Sequence, residues 1–326
     1  MTKERKNIEV VPYDPRWANW YQDEAEKIKE ALGANCLALH HVGSTSIPGL
    51  AAKPRIDIIA EVADPEKSIT QLKPLGYEYR GEWNIPMKYG FRKRGGPEVN
   101  LHVFGKNHPE IEVNLCFRDY LRNHPEVRDE YAQLKLELLK DESSFEKNNS
   151  MFAGYSLGKG NFIHQVLKKT GLNRLRFVFC THINEWDAAK NFRQKYFFDK
   201  VPIKDPYEWT FNHKDHIHFI LYEGVDIIGY AHIQLWPESR AAVRIIVVDD
   251  NKRGRGFGGQ FLNWIEVWLK AKGYKSIHTE SSPDAVRFYK NQAYTEMPFN
   301  DPDGYEGDER DTPMGKILES PPSGDS

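Results

Sequence analysis

Apolar and polar residues alternate along the chain in patterns that predict both strands and amphipathic helices. The β-branched run at residues 243–248 predicts a strand. Residues 261–272 carry apolar side chains at helical spacing and predict a helix with one buried face. A glycine-rich segment, residues 254–259 (GRGFGG), lies between them. Upstream, the apolar runs 216–222 and 226–235 are separated by a short glycine turn, which predicts an antiparallel hairpin.

The same patterns predict the remaining elements. In the first half, Asp14 is expected to cap a helix that runs to about residue 32. Further helices are predicted at residues 66–75, from 111 onward, and at 126–140 and 159–169, and one or two helices are predicted over residues 184–198. Further strands are predicted at residues 36–42, 55–60, 88–92, 99–104, 176–180, 276–280 and 314–318. The 326 residues are enough for two domains of ordinary size, each with its own core.

Composition argues against several classes of protein. The formal net charge of −2 gives no general attraction to nucleic acid or to anionic lipid. No apolar run is long enough to cross a bilayer, and the N-terminal residues lack the apolar segment of a signal peptide. The three cysteines, Cys36, Cys116 and Cys180, suit neither a disulfide framework nor a zinc site, and we expect them to be small core residues. We therefore expect a cytoplasmic protein with no nucleic-acid or membrane partner.

The glycine segment joins the end of a strand to the start of a helix. Backbone N–H groups at a helix N-terminus lack intrahelical partners and favour an anion. Glycines let the chain approach phosphate oxygens closely, and Arg253 and Arg255 add positive charge. These features favour a diphosphate site, and a surface loop is the plain alternative. The segment also satisfies GxGxxG, with Glu280 as a ribose ligand, but residues 249–252 separate it from the strand, unlike a dinucleotide-binding fingerprint.

Two segments of the second half resemble signatures of the GNAT acetyltransferases. Residues 253–258 (RGRGFG) resemble the (Q/R)-x-x-G-x-(G/A) loop of that family, and residues 285–289 (AVRFY) resemble its Ala-x-x-Phe-Tyr helix. Ala293 stands where the family has a glycine, and no asparagine stands at the start of the helix. The resemblance covers residues 174–318 and implies a mixed sheet flanked by helices.

The GNAT resemblance implies acetyl-CoA as the cofactor. The residues that it assigns to the cofactor are Val247, Val248, Arg253, Gly254, Arg255, Gly256, Phe257, Gly258, Gly259 and Phe288. In this interpretation, a backbone N–H of the strand with Val247 and Val248 meets the thioester oxygen. Tyr289 is then the acid that protonates the leaving thiolate, and the alternative for Tyr289 is an ordinary core side chain.

The base that takes the proton from the amine is left open by the sequence. Many GNAT enzymes place a glutamate on the strand before the glycine loop, where this chain has Ala242 and Arg244. Glu238, His232 and His216 are substitutes by position in the sequence, and a chain of waters is equally compatible.

We expect the acetyl acceptor to be a small-molecule amine. Residues 300–311 are strongly acidic and lie between the last helix and the last strand, which favours a cationic acceptor such as an aminoglycoside or a polyamine. A solvated loop is the alternative. The tail, residues 319–326, is expected to be disordered, and the oligomeric state is left open.

Three segments of the first half resemble the GrpB-like family, a branch of the nucleotidyltransferase fold. They are residues 41–58 (HVGSTSIPGLAAKPRIDI), 101–105 (LHVFG) and 117–126 (FRDYLRNHPE). The resemblance covers residues 8–167 and implies an α/β domain with a mixed sheet. It also implies that Gly43 and Ser44 bind the phosphate groups of a nucleotide and that Asp57 binds Mg²⁺.

The metal-binding pattern is incomplete. The nucleotidyltransferase superfamily carries two acidic residues one apart, and here Ile59 stands at the second position after Asp57. Glu98 and Glu112 are the candidates for a distant ligand. The alternative is a domain that binds a nucleotide or another phosphate ligand, or a scaffold, with Asp57 in an ordinary salt bridge. Three histidines are candidates to line the same cleft or to be structural: His40, His41 and His102.

Together these observations predict an α/β (α+β) chain with a nucleotidyltransferase-like domain at residues 1–172, a GNAT domain at 173–318 and a tail at 319–326. The favoured function is acetyl-CoA-dependent N-acetyl transfer to a small amine, joined to a GrpB-like domain of unassigned activity. One alternative is nucleotidyl transfer or nucleotide binding by the first domain, with the GNAT domain accessory. The other is a pair of non-catalytic binding modules.

Overall fold

The computed structural model describes residues 9–145, 154–199, 203–304 and 307–318. Contacts between Cα atoms divide the chain into two compact units. The first consists of Met1–Arg176 with Glu223–Val225, and the second of Phe177–Tyr222 with Asp226–Ser326. The predicted domain boundary at residue 172 stays a prediction, and the predicted tail at residues 319–326 lies outside the described residues.

The first unit contains a five-stranded sheet and helices. Its helices are α1 (Arg16–Leu32), α2 (Ser68–Leu72), α3 (Pro109–Asn123), α4 (Pro125–Leu138), α5 (Gly154–Leu157) and α6 (Gly160–Lys169). Its strands are β1 (Cys36–Val42), β2 (Arg55–Val62), β3 (Glu78–Gly81), β4 (Tyr89–Lys93) and β5 (Glu98–Gly105). The strand order is β1-β2-β5-β4-β3, with β2 and β5 parallel and the other pairs antiparallel. The sheet is therefore mixed, as predicted.

The two faces of β2 have different roles. Successive side chains of a strand point to opposite faces, and Ile56, Ile58 and Ala60 are fully buried in one core with Ile28 of α1. Asp57 lies on the other face, where its register partner on β5 is Asn100. The second face of β2 therefore carries polar side chains near the start of the strand.

The second unit is built on a seven-stranded sheet. The strands of this sheet are β6 (Leu175–Phe179), β7 (His216–Glu223), β8 (Asp226–Trp236), β9 (Arg240–Val248), β10 (Ser276–Ser281), β11 (Thr295–Glu296) and β12 (Thr312–Ile317). The helices are α7 (Ile183–Arg193), α8 (Phe257–Ala271) and α9 (Val286–Asn291). The strand order is β11-β12-β10-β9-β8-β7-β6, and β9 and β10 are parallel. This sheet is also mixed.

The apolar stripe predicted after the glycine segment faces the core. Phe261, Leu262, Ile265 and Leu269 of α8 are all fully buried. The ring of Phe261 lies 6.3 Å from that of Phe177 in an edge-on contact. Helix α8 is therefore held on the sheet by the periodicity that the sequence shows.

Two local features differ from the sequence prediction, and the helical segment at residues 184–198 refines it. Helix α8 begins at Phe257, four residues before the predicted start, because Gly258 and Gly259 occupy its first turn without contributing apolar side chains. The predicted helix at residues 184–198 is α-helical to Arg193 and continues as a π-helical turn, Gln194–Phe198. Strand β3 was not predicted. All its residues except the last are exposed, so its sequence lacks the apolar pattern that would predict a strand.

No helix in the described ranges is both long enough and apolar enough to cross a membrane. Cys180 is buried, as expected of a small core residue, whereas Cys36 and Cys116 are half-buried.

Candidate functional site

A cavity opens in the second sheet where two parallel strands separate. The pairs between β9 and β10 are Arg240–Ser276, Ala241–Ile277 and Ala242–His278. No further pair between these two strands follows in the described part of the chain, although both strands continue. A cavity of about 650 Å³ is lined by residues 243–246 of β9 and 279–281 of β10. This volume is within the range of small-molecule sites, roughly 300–1,000 Å³.

A β-bulge on β9 lies at the same position. His232 of β8 pairs with Ile245, and the next residue, Ile233, pairs with Val243, so Arg244 is the extra residue. Bulges bend a strand and redirect side chains. The Arg244 guanidinium bonds the Gln234 side-chain oxygen from Nε at 2.7 Å and from Nη2 at 2.5 Å. The bulge thus accompanies the separation of the strands and fixes an arginine in the cavity wall.

Tyr289, the predicted acid, lies in the cavity wall and is 5% exposed. The Thr279 hydroxyl donates to the Val243 carbonyl oxygen at 3.1 Å, and the Thr279 side chain lies beside that of Tyr289. Burial raises the pKa of Tyr289 to about 12. The phenol is therefore protonated at neutral pH, as a proton donor must be.

His232 and His216 form a neutral hydrogen-bonded pair in the same wall. Arginine has donors only, so Nδ1 of His232 accepts from Nη1 of Arg193 at 3.2 Å. The proton of His232 then sits on Nε2, which donates to Nδ1 of His216 at 2.8 Å. Burial lowers the pKa of His216 to about 4 and that of His232 well below its ordinary value. Both imidazoles are uncharged at neutral pH, which makes them weak bases toward an ammonium ion.

Glu238 is not brought to the cavity. It lies in the turn between β8 and β9 with φ of 58°, and its side chain is 83% exposed beside Arg240. It is not among the residues that line the cavity. Although Glu238 is near β9 in the sequence, it lies beyond the end of that strand. We therefore do not include Glu238 in the proton path.

Three carboxylates that the sequence did not assign to the reaction line the cavity: Glu280, Asp303 and Asp311. Burial raises the pKa of Glu280, and the charge of Asp311 raises it further. Burial likewise raises the pKa of Asp311. The sequence pattern suggests for Glu280 only the role of a ribose ligand. Its position on a strand next to the Phe-Tyr signature was the signal for a place in this cavity.

The glycine segment forms a turn that leads into α8. Gly254 and Gly256 have φ of 77° and 79°, and a Cβ at either would meet nothing within 4 Å. Gly256 occupies the N-cap position of this 15-residue helix and gives its first N–H groups no side-chain cap. Arg253 lies over the Tyr196 ring and Arg255 over the Phe257 ring, 5.2 and 4.4 Å from the ring centres. The open turn, the helix N-terminus and the two arginines fit the predicted diphosphate site.

The next two glycines have a packing role. A Cβ at Gly258 would lie 3.4 Å from Cε2 of Phe288, and one at Gly259 would lie 2.8 Å from Nε2 of Gln292. Gly258 and Gly259 therefore let α9 approach the first turn of α8. Phe288, predicted to contact the cofactor, packs here, and its ring lies 5.1 Å from that of Tyr289.

Val247 and Val248, on the strand predicted to supply a backbone N–H to the thioester oxygen, lie beside the cavity wall. Val247 packs in a hydrophobic core with Ile245 and Tyr230. The carbonyl oxygen of Val248 accepts a hydrogen bond from Nε of Arg253 at 3.2 Å. Residues 243–246, which precede both valines, line the cavity.

In the first unit, Gly43, Ser44 and Asp57 come together. Gly43 has φ of 69° and precedes the 3₁₀ turn Ser44–Ser46. A Cβ on Gly43 would lie 2.5 Å from Oδ2 of Asp57, so only glycine fits against this carboxylate. Asp57 accepts a hydrogen bond from Asn100 Nδ2 at 2.7 Å, and burial raises its pKa.

The two carboxylates proposed as distant metal ligands have other partners. Glu98 pairs with Arg55 and Arg92, and Glu112 pairs with Arg174 at 3.0 Å. No group of three or more His, Cys, Asp or Glu side chains in the described ranges is arranged to hold a metal ion. The donor set for Mg²⁺ is therefore reduced to one carboxylate.

The three histidines considered for the same cleft have separate environments. His41 bonds the Thr45 hydroxyl at 3.1 Å and stacks on Tyr21. Burial lowers the pKa of His102 to about 3, and the charge of Lys88 adds to this effect. Burial also lowers the pKa of His40. All three are neutral at pH 7.

The mixed sheet and the separation of β9 from β10 define the fold of the second unit as the GNAT acyltransferase fold. Another α/β unit precedes it in the chain. Residues 183–294 match the family model described as Acetyltransferase (GNAT) family, and residues 7–169 match the model described as GrpB protein. The chain therefore belongs to the GrpB family and carries a GNAT acetyltransferase domain.

Known proteins match each half separately. The UPF0157 protein YqkA of Bacillus subtilis is 40% identical over 138 residues, which are 41% of this chain and 40% of that protein. The chain thus spans less than half the length of this relative. The structure of conserved protein GrpB from Enterococcus faecalis is 33% identical, covers 50% of this chain and 96% of that one, and has a TM-score of 0.44. The structure of Tetrahymena GCN5 is 19% identical, with coverages of 44% and 96% and a TM-score of 0.36.

Proposed function

We propose that the second unit is an acetyl-CoA-dependent N-acetyltransferase that acts on a small cationic amine. The observation that carries this proposal is the separation of β9 from β10 after three residue pairs, which opens a cavity of about 650 Å³ beside Tyr289. An exposed strand edge in such a cavity offers backbone N–H and C=O groups to an extended ligand.

The residues present fit the cofactor. Its diphosphate would be held by the turn at Gly254 and Gly256, the first N–H groups of α8, and Arg253 and Arg255. When bound, the cofactor supplies an acetyl group on a thioester, which a neutral amine attacks. The exposed backbone of residues 243–246 is the source of the N–H that stabilises developing charge on the thioester oxygen.

Two side chains of the cavity are suited to moving protons. Tyr289 holds its proton at neutral pH and donates it from the phenol oxygen to the leaving sulfur. Glu280 is ionised above its raised pKa and accepts a proton from the amine through its carboxylate, directly or through water. His216 and His232 remain neutral, and both ring nitrogens of His232 are already engaged by Arg193 and His216.

The charges of the cavity favour a cationic acceptor. Each of the two arginines in the wall has a buried carboxylate of its own: Arg193 pairs with Asp205, and Arg244 with Asp301. The remaining carboxylates in the wall give the cavity a net negative charge; they belong to Glu280, Asp303 and Asp311. An ammonium group is drawn to such a site. Part of the acidic segment is thus packed on the sheet, since the Asp301 side chain is 2% exposed.

Release of CoA thiol tests the proposal. The full chain is incubated with acetyl-CoA and a panel of aminoglycosides, polyamines and amino acids, and free thiol is followed against no-enzyme controls. We expect thiol release with at least one cationic amine and a rise in melting temperature with CoA. Absence of both results would contradict the proposal.

Nucleotidyl transfer by the first unit has no comparable support. The single carboxylate, Asp57, does not make a two-metal site, and the two glutamates considered as partners are bound to arginines. We therefore do not propose this reaction.

A further inference from the structure

The two histidines of the cavity wall belong to a hydrogen-bond network that begins at Arg193. The Arg193 side chain is 1% exposed, and its Nη2 donates to Oδ1 of Asp205 at 3.0 Å. Its Nη1 contacts two further groups, Nδ1 of His232 at 3.2 Å and the Tyr230 hydroxyl oxygen at 3.4 Å. Because a guanidinium group has donors and no acceptor, it fixes the direction of both branches of the network.

One branch ends on the protein backbone. The Thr210 carbonyl oxygen can only accept, so Nε2 of His218, which lies 3.2 Å from it, carries the proton of that neutral ring. Nδ1 of His218 then accepts from the Tyr230 hydroxyl at 2.7 Å. The Tyr230 oxygen in turn accepts from Arg193. Every polar group of this branch therefore has a partner inside the protein.

The other branch ends at the cavity. His232 accepts at Nδ1 and donates from Nε2 to Nδ1 of His216 at 2.8 Å, so the proton of the neutral His216 ring lies on Nε2. In the described part of the chain, no group accepts a hydrogen bond from this Nε2, and the atom is not enclosed by protein. His216 lines the cavity. Its Nε2–H is therefore a donor that a ligand in the cavity can use.

Neighbouring neutral groups of the wall have their hydrogen bonds within the protein. The Gln234 amide donates to Asp303 at 2.7 Å and accepts from Nε of Arg244 at 2.7 Å. The Thr210 hydroxyl donates to the Tyr207 carbonyl oxygen at 2.7 Å. These groups are oriented by the protein itself, whereas the orientation of His216 presents a donor to the cavity.

The chemistry of this donor restricts the ligand. An ammonium group has donors only, so the charged groups of a polyamine cannot accept from His216. A carboxylate can accept, but the carboxylates of Glu280, Asp303 and Asp311 in the same cavity repel it. A neutral oxygen, in a hydroxyl or a carbonyl group, accepts the hydrogen bond without this repulsion. A buried donor left without an acceptor is costly, so a ligand that lacks such an oxygen binds less well.

We propose that the acetyl acceptor is an amine that also carries a neutral oxygen, and that this oxygen accepts a hydrogen bond from Nε2 of His216. This inference rests on the acetyl transfer proposed for the second unit and narrows its substrate class to amino sugars, amino alcohols and amino amides. Arg193 and His232 are positioning residues, because they hold the tautomer of His216 that donates into the cavity. Polyamines and free amino acids are then poor acceptors.

Comparison of kcat/KM across classes of amine tests the substrate class. The full chain is assayed by thiol release with aminoglycosides, polyamines, free amino acids and amino acid amides. We expect the best acceptor to be an aminoglycoside or an amide, and which of the two it is identifies the oxygen as hydroxyl or carbonyl. A polyamine or a free amino acid as the best acceptor would overturn this inference and leave acetyl transfer intact. Absence of thiol release with every amine would contradict acetyl transfer itself.

Variants of His216 show whether its N–H is responsible. His216→Phe keeps a ring and removes the donor, so we expect kcat/KM for the best acceptor to fall about tenfold, mainly through KM, with that for putrescine unchanged. His216→Gln retains an N–H donor and should restore most of the loss. An equal fall for both amines in His216→Phe would indicate a structural role and contradict the proposal.

His213→Phe is the matched control. The His213 ring lies 5.1 Å from that of His216 in an edge-on contact, but His213 is exposed and does not line the cavity. Its replacement should leave kcat/KM unchanged for both amines. Cooperative thermal unfolding of each variant checks that it is folded.

The tautomer of His216 is measured without turnover. Nuclear magnetic resonance of the full chain with nitrogen-labelled histidine distinguishes a ring protonated at Nε2 from one protonated at Nδ1. We expect both His216 and His232 to be protonated at Nε2 at neutral pH. Protonation of His216 at Nδ1 would overturn the inference even if acetyl transfer is found.

Discussion

Tyr289 combines a buried hydroxyl with a place in the cavity wall. Burial raises its pKa to about 12, so the hydroxyl keeps its proton at neutral pH. The phenol thus lies in the cavity wall with its proton bound, so the side chain is suited to proton donation.

We predict that Tyr289→Phe lowers kcat by about 10²-fold, the usual contribution of general acid catalysis, and leaves CoA affinity unchanged. Steady-state kinetics and CoA titration measure the two quantities. Tyr294→Phe is the matched control, because its ring lies 5.2 Å from that of Tyr289 but does not line the cavity. Full activity of Tyr289→Phe would remove the proposed acid.

Glu280 is the carboxylate whose charge and position suit both amine binding and proton removal. Loss of one opposite charge in a partly buried site costs about 1.4 kcal/mol or more, a tenfold effect. We therefore predict that Glu280→Gln raises KM for cationic amines about tenfold and removes the acidic limb of the pH profile of kcat/KM.

Asp308→Asn is the control for this charge effect. Asp308 lies in the same acidic segment but is exposed and paired with Arg310. Its loss should leave KM unchanged. An equal rise of KM in both variants would show that the charge of the whole segment, and not Glu280, attracts the acceptor.

At the scale of elements, helix α8 is joined to the sheet by a turn that needs glycine for backbone reasons. Gly256 has φ of 79° at the helix N-cap, and Gly273 has φ of 85° just past the helix end. Neither has a neighbour within 4 Å of a Cβ. Both positions have the same left-handed backbone strain, but Gly256 lies at the proposed diphosphate site and Gly273 lies at the other end of the helix.

We predict that Gly256→Ala and Gly273→Ala each lower the free energy of unfolding by about 1 kcal/mol, the cost of a left-handed residue. Gly256→Ala alone should weaken CoA binding, because it deforms the turn at the N-terminus of α8. Urea unfolding and CoA titration measure both effects. Equal CoA affinities would show that this turn does not hold the diphosphate.

At the scale of the whole molecule, buried neutral histidines make stability depend on pH. Burial lowers the pKa of His216 to about 4, of His218 to about 3, and of His41 in the first unit to about 4. The unfolded chain binds protons at these side chains near pH 6.5, and the folded chain does not until the lower values are reached. Stability is therefore complete above pH 6.5 and is lost as the pH falls toward 4.

We predict that each such histidine contributes a slope of up to about 1.4 kcal/mol per pH unit below pH 6.5. Urea unfolding at pH 7.5 and 5.5 measures the slope. His232→Gln should reduce the slope by one proton, whereas His164→Gln, at an exposed position of α6, should leave it unchanged. A slope that is the same in wild type and both variants would contradict this account.

Much of the fold follows from local patterns in the sequence. The period-3.6 stripe of α8 and the alternation of β2 each place apolar side chains on one face, and those faces are buried. Strand β3 escaped prediction because it buries almost nothing. The glycine turn was visible because positive φ and close approach restrict the residue type.

The sequence by itself determined the order of elements, the two family signatures and the identity of Tyr289 as the candidate acid, because these depend on short segments of chain. The tertiary structure decided which distant side chains share a cavity or a charge. It removed Glu238 from the proton path and brought Glu280 into the cavity. Such groupings depend on strand register and on helix packing, and spacing along the chain does not specify them.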